Sequence, residues 1–148
     1  MGDTARNFFS EKQKQQITQA IKTAELGTSG EIRVHVENMC EGDVLDRAAT
    51  VFEKLGMVNT GLRNGVLFYL AVKSHHFAIL GDVAINTHVP EGFWESVKAR
   101  MMDSFSRGEF TEGLSEGILM AGEELKKHFP VQADDVNELS DDISFGSR

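Results

Sequence analysis

The chain has 148 residues, a formal net charge of −8, 41% hydrophobic and 26% charged residues, and one cysteine. That length suits one domain with its own core, the acidic balance disfavours nucleic acid as a partner, and Cys40 alone makes no internal disulfide. No apolar run approaches the ~20 residues of a membrane helix, and the opening MGDTARNFFSEKQ lacks the apolar core of a secretory signal, so the expectation is a cytoplasmic protein with no membrane partner.

The first helix is expected over about residues 11–26. Ser10 with Gln13 three residues on makes a capping box. Ile17, Ala20, Ile21 and Ala24 recur at helical spacing, and Gly27 is placed for a left-handed stop. EIRVHVE, residues 31–37, alternates apolar and polar positions and reads as a strand with one packed face. Asp43 caps a second helix whose face is Ala48, Val51, Phe52 and Leu55, and Gly56 ends it. A glycine-spaced loop, GMVNTGLRNG, leads to VLFYLAV, which is apolar at every position and so reads as a central strand covered on both faces. KSHH makes a turn into FAIL, a third strand that stops at Gly81-Asp82.

VAINTHVPEG reads as irregular. A third helix then carries Trp94, Val97, Met101 and Phe105, and Gly108 breaks it. Thr111 is expected to cap a fourth helix with inner face Leu114, Ile118, Ala121 and Leu125, which Pro130 stops. Residues 131–148 carry a net charge of −4, half of the chain's excess. They read as an acidic extended or disordered tail after a domain over 1–130, with Val136, Leu139 and Ile143 as possible anchors.

The order α-β-α-β-β-α-α fixes most of the topology. The first two strands are joined through a helix and should be parallel. The second and third form a hairpin and should be antiparallel. The fold class is therefore α/β, a small mixed sheet with helices on both faces. In that arrangement the start of strand one, the start of strand two and the end of strand three share one edge. Glu31, Arg63 with Asn64, and Asp82 occupy those three places. Carboxylates, an amide and loop carbonyls are the oxygen mixture that hard divalent cations take. Each residue also has a plainer role: Glu31 as a strand-end residue, Asn64 as a turn former before Gly65, Asp82 as a turn residue. The opposite edge has an acidic loop with Glu37, Glu41 and Asp43, of which Asp43 is already explained as a cap.

Other chemistries lack their residues. There is no G-x-x-x-x-G-K-[ST] or G-x-G-x-x-G loop. Cys40 and Arg47 are separated by six residues, not five, and three of those six are acidic, so no phosphate-binding cysteine loop is present. His75 and His76 are adjacent in a turn with no further ligand at zinc spacing. Phe93 and Trp94 lie on a helix with an apolar stripe and read as core.

TSGEIRVHVE, AATVFEKLGM, RNGVLFYLAV, FAILGD, FWESVKARM and FSRGEFTEGLSEGI, in that order and spacing, together resemble the TPM domain family over residues 8–130. The family's domain is shared by a thylakoid lumen protein, a photosystem II-associated protein and a receptor-modulating protein. The ending DDVNELSDDISFG is similar to that of short, stand-alone bacterial members. The resemblance implies an α/β sandwich, divalent-metal binding with calcium ahead of magnesium, and, for some members, acid phosphatase activity. The family's matching positions here are Glu31, the loop 56–65, Gly81-Asp82 and 109–113. Glu109 and Glu112 thus join Asp82, Glu31 and Asn64 as candidate metal ligands, with a plainer role as first-turn acids at a helix N-terminus. No catalytic residue is identified. The expected function is a calcium-type metal-binding module that acts through a protein partner. The alternatives are a metal-dependent acid phosphatase and a metal-independent interaction domain contacting partners through its acidic tail.

Overall fold

The computed structural model describes residues 4–131 and 141–146. Its elements are α1 (Thr4–Phe8), α2 (Glu11–Glu25), β1 (Glu31–Glu37), α3 (Val44–Lys54), a 3-10 turn (Met57–Asn59), β2 (Gly65–Ala71), β3 (His76–Gly81), α4 (Val83–His88), α5 (Phe93–Ser106), α6 (Phe110–His128) and β4 (Ser144–Phe145). The sheet order is β3-β2-β1-β4. β1 is parallel to β2 and to β4, and β2 is antiparallel to β3. The mixed sheet expected from element order is therefore present, with β2 at its centre and buried at all seven positions.

The two sheet faces have different covers. Ile32, Val34, Val36, Val66, Phe68 and Ile79 point to α1, α2, α5 and α6 and form the larger core. Leu67, Tyr69, Ala71 and Ala78 point to α3 and the 3-10 turn. The Ser10–Gln13 capping box forms at the start of α2, and Asp43 caps α3 through Leu45 and Asp46 N–H groups. α2 and α6 cross closely. A Cβ on Gly122 would stand 2.6 Å from Ala24 Cβ and 2.8 Å from its backbone, so only glycine admits the crossing.

Three local readings are corrected. Residues 83–88 form α4 rather than an irregular piece, because Asp82 caps them through Val83 N–H. α6 begins one residue before Thr111, which is buried with its hydroxyl unpartnered and does not cap the helix. His76 belongs to β3, and His75 carries the turn at φ 57°. At the other end of the chain, Ser144–Phe145 add a fourth strand to β1, and Ile143 packs on the larger core. Val136 and Leu139, the other two expected anchors, lie outside the described residues.

Candidate functional site

β1 begins at Glu31, paired with Gly65 at the start of β2, and Gly81 at the end of β3 pairs with Val66. Asp82 N–H donates to Gly65 O at 2.8 Å, so Asp82 lies beside both strand starts. Glu31, Asn64 and Asp82 are all buried there, at 2%, 1% and 5% exposure. The sheet thus brings the three together at one edge, as the topology predicts.

Local geometry explains how each side chain is aimed. Gly81 is required for space, not for an unusual backbone angle. A Cβ there would meet Asn86 Oδ1 at 2.7 Å and Ile85 and Trp94 atoms at 3.0 Å. α4 folds back across it, and Asn86 ties the return by donating to Gly81 O at 2.8 Å while accepting from Trp94 Nε1 at 2.9 Å. Arg63 sits in the left-handed region at φ 52°, and its carbonyl accepts Ala84 N–H at 3.1 Å. That strained turn delivers the Arg63 guanidinium to Asp82.

The result is a bidentate ion pair. Arg63 Nε donates to Asp82 Oδ2 at 2.7 Å and Nη2 to Oδ1 at 2.8 Å, while Val83 N–H also donates to Oδ1 at 2.8 Å. The Asp82 side chain is 4% exposed and Arg63's is 44% exposed, so the guanidinium is the lid between the carboxylate and solvent. Asn64 Nδ2 donates weakly to Ser29 Oγ at 3.4 Å. Arg63 adjoins Asn64 in sequence, but no local pattern marks it as the holder of the carboxylate expected to meet a metal.

Glu109 and Glu112 are not at this edge. α6 starts beside Phe105 and Phe8, and Phe110 lines a cavity with Leu70, Ala71 and Phe77, where β2 ends and β3 begins. That is the length of β2 away, about 20 Å at ~3.3 Å per residue. Glu109 there meets Arg107, and Glu112 is an exposed first-turn acid. α6 instead reaches the Glu31 edge with its last turn, where Phe129 O accepts from Thr28 Oγ1 at 2.5 Å and from Ser29 N–H at 2.9 Å.

Two carboxylates near the edge were missed. Glu25, in the last turn of α2, accepts Ile32 N–H at 2.8 Å. Burial, a hydrogen bond with Asp141 and the charges of Asp141 and Glu31 push its carboxyl up to about 9. The signal for Glu25 was available: an acid in the final turn faces the negative end of the helix dipole and needs another reason to be there. For Asp141 there was none, since only the returning tail places it. Among the described residues no three His, Cys, Asp or Glu side chains are grouped to hold a metal ion. The oxygen donors at this edge are of the right class for a hard cation, but a cation would take Asp82's oxygens only in competition with Arg63.

At the opposite end of β1 the polar row closes into a second buried network. Glu37 receives Arg47 Nε and Nη2 at 2.7 and 2.9 Å and Tyr69 Oη at 2.5 Å, and lies 3.0 Å from His35 Nε2. Burial alone would push the Glu37 carboxyl up, but hydrogen bonds from Arg47, Tyr69 and His35 outweigh it and hold it at about 2. Burial pushes the His35 imidazole down, partly offset by Glu37. Tyr69 is pushed up, first by burial and then by Glu37. Every acceptor of Glu37 is used, so this acid stabilises the fold rather than offering an open ligand.

Comparison with known proteins agrees with the architecture. The chain is 46% identical to BA42, a protein of the psychrophilic bacterium Bizionia argentinensis solved by NMR, with a TM-score of 0.88 over 95% of this chain and 97% of that one. An N-terminal domain from P. gingivalis is 19% identical at a TM-score of 0.67, covering 85% of this chain and 83% of that chain. One from Corynebacterium glutamicum is 12% identical at 0.64, covering 88% and 81%. These last two are alike in fold alone. No curated protein sequence matches the chain. No helix among the described residues is long and apolar enough to cross a membrane. The model of the TPM domain matches residues 3–124, more than four-fifths of the length, and the chain belongs to the TPM domain family.

Proposed function

We propose that this TPM domain binds a divalent cation, calcium ahead of magnesium, at the Glu31–Asn64–Asp82 edge and acts through a protein partner. The observation that carries the reading is the Asp82 carboxylate, buried beside Glu31 and Asn64 and bridged to solvent by a half-exposed arginine. A guanidinium and a divalent ion satisfy the same carboxylate, so the cation displaces Arg63 into solvent. Few acids and a built-in competitor imply weak affinity, a Kd of about 10⁻⁴ to 10⁻³ M. The displaced Arg63 then changes the surface that a partner meets.

An NMR titration with calcium and then magnesium tests this, alongside melting curves at millimolar ion. The wild type should show shifts centred on Glu31, Asn64 and Asp82 and a calcium-dependent rise in Tm. Asp82→Ala should abolish both. Arg63→Met should tighten binding by roughly tenfold, since the guanidinium that competes for both Asp82 oxygens is removed. Absence of any calcium response in both the wild type and Arg63→Met would sink the reading.

A second reading, the acid phosphatase implied by family resemblance, draws on the same arginine. Once released, a planar guanidinium beside a cation is suited to a phosphoryl group. It requires phosphomonoester turnover that is lost with chelator and with Asp82→Ala. A domain with neither response would be left with the metal-independent interaction role.

A further inference from the structure

The last described residues sit on β1 as a ligand sits in a receptor. Only His35 and Val36 of the seven-residue strand are paired by β4. Each residue of the short segment nevertheless meets a dedicated partner. Ser144 Oγ lies 2.7 Å from His35 Nδ1 and 3.3 Å from Val34 O. The Phe145 ring meets two cations, the Arg6 guanidinium and the Lys14 ammonium, each 5.3 Å from its centroid. Gly146 N–H donates to Val36 O at 2.9 Å, and a Cβ at that position would run into Glu37 Oε1, with His35 Nε2 at 3.0 Å. Upstream, Asp142 O accepts from Arg33 Nη2 at 3.4 Å. Ile143 packs on the core.

We propose that the outer edge of β1 is a peptide-acceptor edge reading apolar-Ser-aromatic-Gly, filled in cis by residues 141–146 and open to the matching extended segment of a partner protein. The addition is parallel β-augmentation, in which main-chain bonds hold the peptide and alternate side chains select it. The hydroxyl is read by His35 and Val34, the aromatic ring by two cations, and the glycine by exclusion. The cis segment is the natural competitor. Residue 131 bonds to Gly27 while Asp141 bonds to Glu25, two residues away, so the tether returns to where it left. A short tether gives an effective concentration of about millimolar, so a partner peptide must exceed that to displace it.

The test uses the full chain carrying Gly146→Val, which should expel its own segment, and a synthetic peptide DDISFGS as probe. Backbone NMR should show the β1 amides at His35 and Val36 losing their β4 partner. They should regain native-like shifts as DDISFGS is added, and not with the same peptide bearing valine for glycine. The wild type should bind the peptide at least tenfold more weakly than the variant, because its edge is occupied. If Gly146→Val does not fold, Phe145→Ala, which removes only the ring that meets Arg6 and Lys14, serves in its place. Failure of the folded variant to bind DDISFGS, equal binding of both peptides, or retention of β4 in the variant would overturn the proposal. So would a wild type whose segment occupies a second copy, seen as a concentration-dependent dimer.

Discussion

Replacing Glu25 with glutamine should flatten the alkaline limb of the stability curve. Glu25 accepts Ile32 N–H and lies against Asp141 and Glu31, and burial with these neighbours raises its carboxyl to about 9 from an ordinary 4.5. The folded chain therefore keeps a proton that the unfolded chain has lost above its own value. That contribution is fully present below 4.5 and is lost as pH rises through about 9. One unit corresponds to about 1.4 kcal/mol, so the interval from pH 7 to 8.5 could remove at most ~2 kcal/mol. Residues 141–146 can leave the edge and relieve the pair, so about 1 kcal/mol is expected. His35 is pushed down from 6.5 and acts below this interval, while Tyr69 is pushed up from 10.0 and acts above it. Urea unfolding at pH 7 and 8.5 reads the effect. The wild type should lose about 1 kcal/mol over the interval, and Glu25→Gln should lose less than ~0.3, because an amide donates to Asp141 without binding a proton. Equal slopes for the two proteins would refute the reasoning.

Glu37→Gln should cost about 3 kcal/mol in chemical denaturation, since Arg47 would keep its charge in a site where its carboxylate partner is gone. In the wild type the Glu37 contribution is present above 4.5 and disappears as pH falls towards about 2, so the variant should also lose part of the acid transition seen by circular dichroism. Gly122→Val should lower stability by roughly 2 kcal/mol or more, because its side chain would strike the α2 backbone at Ala24, which cannot rotate away. A neutral result would mean that the α2–α6 crossing has slack.

Local pattern alone determined much of this protein. The capping box at Ser10 follows from local spacing, the apolar run of β2 from burial on both faces, and the face of α6 from the helical period, whereas the alternation of β1 marks only its apolar face, since Glu31, His35 and Glu37 are buried on the other. Element order then gave the parallel and antiparallel pairs and, with them, the convergence of Glu31, Asn64 and Asp82, since connection length leaves few topologies open. Tertiary structure decided what those groups touch. Arg63 reaches Asp82 only because a left-handed turn and the start of α4 are hydrogen-bonded together. Asp141 meets Glu25, and Ser144 meets His35, across more than a hundred residues of chain. The path of α6 puts Glu109 and Glu112 at the far end of the sheet while its last turn holds the loop before Glu31. Periodicity records which face of an element is buried, but side-chain partners depend on where elements lie relative to one another, and no local pattern carries that distance.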